Sequence, residues 1–74
     1  MKITLTSTTK LVTLDGVVLA RVWEGETDSG IPVHAFITRL AVERAQDTTE
    51  FDREIQEHAA PSMDVQAYPT RLIL

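Results

Sequence analysis

The sequence predicts an α+β domain: a small antiparallel sheet in the order β-β-β-α-β, with one helix packed on one face. Three observations lead there. An apolar tract over residues 17–42 is broken near its middle by a polar, glycine-containing corner, so it reads as one long hairpin. Asp15-Gly16, set between apolar runs, is a tight-turn signal just upstream. Residues 47–59 open with capping chemistry and continue with apolar residues at helical spacing.

Taken in order, residues 2–8 alternate Ile3, Leu5 and Ser7 against Thr4, Thr6 and Thr8, which suits a pleated, half-buried strand. Residues 7–10 are polar and read as a bend, after which 11–14 resume the strand and pair through Asp15-Gly16 with 17–23. Asp28-Ser29-Gly30 is the next corner, a three-residue loop with glycine in the left-handed position. That closure sets Thr27 opposite Ile31 and Trp23 opposite Ala35. Alternation then places Val18, Ala20, Val22, His34, Phe36, Thr38, Leu40 and Val42 on one face, read as the core. Val17, Leu19, Arg21, Trp23, Val33, Ala35, Ile37 and Arg39 fall on the other. Val33, Phe36, Ile37, Leu40 and Ala41 also fit a helical stripe opened by Pro32, so 33–44 has a helix alternative. The β-branched content of this segment favours the strand.

Asp47-Thr48-Thr49-Glu50 reads as a capping box opening a helix of about 12 residues, too short to stand without packing. Phe51, Ile55 and Ala59 form its docking stripe, Arg53 and Glu57 an outer i, i+4 pair, and Pro61 its stop. Residues 61–69 read as a loop anchored by Val65, Ala67 and Tyr68. The terminal run 70–74 is expected to add a strand to a sheet edge or to pair with a second copy.

The 74 residues are expected to form a single domain, 1–74. A chain of this size buries only about 60% of its unfolded surface, so its core is small. With no cysteines, disulfides, cysteine nucleophiles and thiolate zinc sites are excluded. No apolar run approaches the ~20 residues of a membrane span, and the N-terminal residues lack the core of a secretory signal; a cytoplasmic protein is expected. The net charge of −4 disfavours nucleic acid as a partner. Most of the acidity concentrates in 24–28 and 43–57.

The chemistry-bearing residue types do not assemble into a catalytic or metal motif. His34 and His58 are the only histidines. Glu54 and His58 share a helical face but make two ligands at most, and a surface pair is the simpler reading. The carboxylates Glu24, Glu26 and Asp28 lack the order of a calcium loop. No catalytic residue and no cofactor is assigned. Arg21, Trp23, Ile37 and Arg39 are the favoured protein-binding set, because tryptophan and arginine dominate contact hot spots. Glu24, Glu26, Asp28, Glu50, Glu54 and Glu57 form the predicted acidic surface.

The runs VWEGETDSGIPVHAFITR (22–39), EFDREIQE (50–57) and PTRLIL (69–74) resemble small uncharacterised accessory proteins of bacterial and prophage genomes. The resemblance covers most of the chain and carries no functional motif. It implies an accessory protein, phage or prophage derived, that acts by contact. The expected function is therefore a non-enzymatic interaction or assembly protein that self-associates as a homodimer or higher oligomer. The alternative is an acidic inhibitor or decoy for a basic host protein surface.

Overall fold

The computed structural model describes residues 1–72; Ile73 and Leu74, the end of the expected terminal strand, lie outside the described residues. The protein is a small α+β fold built on a four-stranded mixed sheet with two short helices. Its elements run β1 (Ile3–Leu14), β2 (Val18–Thr27), β3 (Pro32–Ile37), α1 (Thr49–Glu54), α2 (Met63–Gln66) and β4 (Arg71–Leu72). The strand order across the sheet is β3-β2-β1-β4. β1, β2 and β3 form an antiparallel meander, whereas β4 lies parallel to β1, so the sheet is mixed rather than purely antiparallel.

Both corners follow turn chemistry. Asp15 and Gly16 have φ of 51° and 74°, and the Val17 N–H closes the first turn on the Leu14 carbonyl at 3.0 Å. At the second, Gly30 has φ of 84°, and the Thr27 N–H donates to the Ile31 carbonyl at 3.0 Å. The resulting register sets Trp23 against Ala35 and Arg21 against Ile37, as the loop length requires.

β1 is one strand with an irregularity where a bend is expected. Between the pairs Ser7↔Trp23 and Leu11↔Arg21, residues 8–10 stand opposite Val22 alone. Two extra residues are an even number, so the odd residues of β1 stay on the Trp23 side on both sides of the irregularity. The face of β2 bearing Ala20 and Val22 forms the core. Val12, Ala20, Val22 and Val65 are buried, and Leu14, Phe36, Tyr68 and Leu72 pack around them. Val65 comes from α2, whose N-terminus is capped by Ser62 Oγ accepting from the Val65 N–H.

Three expectations are corrected here. β3 ends at Ile37 and neither a strand nor a helix continues through 38–44; Leu40 instead crosses to the opposite face, beside Trp23 and Ile55. Extending the strand would set Leu40 over Val18 at the hairpin tip, which is 46% exposed, whereas after crossing it lies beside the half-buried Trp23. The predicted 12-residue helix shrinks to Thr49–Glu54 and buries no residue. β1 captures the segment that follows it: Ser7 Oγ donates to the Glu57 carbonyl at 3.0 Å, the Ala59 N–H to Ser7 O at 2.9 Å, and the Thr9 N–H to Ala59 O at 3.0 Å. Those strand-type bonds are incompatible with helical hydrogen bonding at the same groups. The helix start also shifts by one residue: Asp47 Oδ1 accepts from the Thr49 N–H at 2.9 Å and its hydroxyl at 2.7 Å, while Thr48 makes no side-chain cap bond.

Two glycines separate turn strain from close approach. A Cβ at Gly30 meets nothing, so Gly30→Ala costs only the left-handed backbone penalty, about 1–2 kcal/mol. A Cβ at Gly25 collides with the Thr4 carbonyl across the β1–β2 pair, and backbone cannot rotate aside. Urea unfolding is expected to show a clearly larger midpoint loss for Gly25→Ala than for Gly30→Ala.

Candidate functional site

The predicted contact residues come together. Arg21, Trp23, Ile37 and Arg39 line one groove of about 280 Å³ on the sheet face opposite the core, with Leu11, Leu19, Leu40 and Ile55. A second depression of about 300 Å³ adjoins it, lined among others by Leu5, Phe51, Glu54 and Glu57. Trp23, Leu40, Ile55 and His58 line both and form a rib between them. The groove exists because Leu40 and α1 cross this face without sealing it. Leu19 remains 60% exposed, Leu40 46%, Ile55 42% and Leu11 38%.

The two arginines differ in what they do. Arg21 is half-buried, and its Nη1 donates to the Thr8 carbonyl at 2.8 Å. It therefore closes the polar account of the β1 irregularity. Arg39 is exposed and makes no hydrogen bond or ion pair with the described residues.

Thr8 is the companion device, which the sequence reading passed over as part of a polar bend. It is 1% exposed, and its hydroxyl donates to the Val22 carbonyl at 2.7 Å and accepts from the Lys10 N–H at 3.2 Å. Backbone groups alternate sides along an antiparallel strand, so Val22, unlike Trp23, turns its carbonyl toward β1. There the irregularity interrupts the ladder, and the threonine hydroxyl takes the place of a backbone donor. The only advance signal was a threonine pair between two alternating segments.

The acidic set is dispersed. Glu24 and Glu26 lie within β2 and only Asp28 sits in the turn, so the three do not share a loop. Glu24 is half-buried beside β3; its Oε2 accepts from the Ser62 N–H at 2.8 Å, and its Oε1 lies 4.0 Å from His34 Nε2. Contact with the Ser62 side chain first, and its backbone N–H second, holds the Glu24 carboxyl below its ordinary 4.5. His34 Nδ1 is 2.7 Å from Tyr68 Oη, and the Tyr68 ring stands edge-on to His34 and Phe36. This chain of contacts pins α2 to β2 and β3. On the opposite face, Glu50 and Glu57 both pair with Arg53, at 2.8 and 2.6 Å. Among the described residues Glu54 makes no such bond and only lies in the field of Arg53.

Ser7 and His58 adjoin, with Oγ 2.8 Å from Nδ1. A hydroxyl has one proton, and the bond to the Glu57 carbonyl uses it. Oγ then accepts from Nδ1–H, a tautomer in which the imidazole cannot withdraw the serine proton. Ser7 is also 8% exposed, so the pair serves as a clasp between β1 and the segment after α1. Among the described residues, no group of three or more His, Asp or Glu side chains could hold a metal ion. Among the described residues, no helix is long and apolar enough to cross a membrane.

Neither a protein-family model, nor a curated protein, nor a solved structure matches this chain.

Two outcomes test these assignments. Thr8→Val keeps shape but leaves the Val22 carbonyl unpaired; a loss of about 1–3 kcal/mol is expected by denaturant unfolding, with Thr8→Ser far milder. Glu24 has a depressed folded value, so its contribution is present above 4.5 and is lost as pH falls through that lower value. Glu24→Gln is expected to lower stability at neutral pH and to flatten the acid limb of a stability–pH curve.

Proposed function

We propose that this chain is a non-enzymatic contact protein that self-associates through the face bearing Arg21, Trp23, Ile37 and Arg39. The observation that carries the reading is surface. A compact protein of 8.3 kDa is expected to expose about 4,600 Å², and this one exposes 5793 Å². The surplus, about 1,200 Å², exceeds the roughly 800 Å² that each partner contributes to a standard stable interface. Four exposed large apolar side chains, Leu11, Leu19, Leu40 and Ile55, flank a half-buried tryptophan on the same face, which is the composition of a contact core.

An acidic decoy for a basic host surface has less support. Three of its six carboxylates are already engaged: Glu24 with Ser62, and Glu50 and Glu57 with Arg53. A catalytic reading has less support again, given the hydrogen bonding of Ser7 and His58. A cytoplasmic location and a prophage origin belong to the same proposal; the first rests on the lack of an apolar run of membrane-span length, the second on the chain's resemblance alone.

Light scattering on purified protein is expected to give at least twice the 8.3 kDa chain mass. Leu19→Glu alters a side chain that is 60% exposed, so it is expected to keep the far-ultraviolet circular dichroism and lower the mass to one chain. A wild-type protein of single-chain mass from micromolar to millimolar concentration overturns self-association.

A further inference from the structure

The charges around the groove are arranged at its two ends. Five ionisable side chains line the paired depressions: Arg21, Arg39, Glu54, Glu57 and His58. Three have partners within the chain. Arg21 donates to Thr8 O, Glu57 pairs with Arg53, and His58 Nδ1 meets Ser7 Oγ. Two are left without a hydrogen bond or ion pair among the described residues. Arg39 lines only the first depression and Glu54 only the second, with the rib of Trp23, Leu40, Ile55 and His58 between them.

A surface with a cation at one end, a carboxylate at the other and apolar residues between is complementary to itself after a half-turn. That is the requirement of a two-fold interface, in which residue i of one copy meets residue j of the other, and j meets i. We infer that the occupant of this groove is a second copy of the chain, docked about a two-fold axis through the rib, with Arg39 of each copy against Glu54 of the other. The inference rests on the self-association proposed above and specifies its geometry. Docked this way, the exposed parts of Leu40 and Ile55 meet their counterparts and leave water together. Both ion pairs form at the rim, where charge selects orientation more than it adds affinity.

The test is a charge exchange read by sedimentation. Arg39 and Glu54 are both exposed and make no hydrogen bond or ion pair among the described residues, so Arg39→Glu and Glu54→Arg are expected to leave the fold intact, checked by far-ultraviolet circular dichroism. Each variant alone sets two like-charge contacts across its own interface and is expected to self-associate about tenfold or more weakly. Mixing the two variants creates a heterodimer in which both contacts are again opposite in sign, and it is expected to assemble close to wild-type strength. The doubly exchanged chain, Arg39→Glu with Glu54→Arg, is expected to recover as well. If both single variants dimerise like wild type, or the mixture is no stronger than its components, this docking geometry is overturned while self-association stands. A monomeric wild type overturns both.

Discussion

The rest of the structure depends on one local constraint: three residues of β1 face a single residue of β2. An interrupted ladder leaves polar backbone groups on both strands, and each needs a partner before it can be buried. Thr8 supplies its hydroxyl to Val22, and Arg21 supplies its guanidinium to Thr8. On the far side, Ser7 and Thr9 exchange bonds with Ala59. The sheet's two sides and the C-terminal half are thus joined at one point. α1 is cut short there, and the polypeptide is fixed where it turns down to α2.

The legible part of the fold is the part governed by turn residues. Asp15-Gly16 and Asp28-Ser29-Gly30 demand positive φ, and positive φ in short loops sets strand register, which sets the faces. The core side, with Ala20, Val22 and Phe36, and the gathering of Arg21, Trp23 and Ile37 followed from that alone. What was not legible depends on partners far apart in sequence. Phe51, Ile55 and Ala59 have helical spacing, yet Ala59 is held by Ser7 and Thr9, and no periodicity records that competition. Leu40 fits a continued strand equally well until Trp23 and Ile55 draw it across the sheet. α2 had a local signal in Pro61-Ser62 followed by Asp64, but four helical residues give no periodicity to detect.

The candidate contact face shows why a list of hot-spot residue types is an incomplete guide. Arg21 is of the right type and in the right place, but its charge serves the backbone of Thr8. Arg39 stands beyond the end of β3 with its charge uncommitted, and it is the better recruit for a partner. The carboxylates sort likewise: Arg53 occupies Glu50 and Glu57 and leaves Glu54 facing outward. Hydrogen-bond bookkeeping inside the chain decides which charges remain for anything outside it.

β1 is the only strand with neighbours on both edges that come from opposite ends of the described chain. Its β2 edge is filled by the very next segment, whereas its other edge awaits Ala59 and β4, far downstream in the chain. The contacts on that edge close a long loop, whereas the meander closes through short ones. Without them the outer rim of β1 is a bare template for any extended peptide, including the same rim of another copy. The downstream segment that covers it is thus a safeguard against misassembly as well as a source of stability.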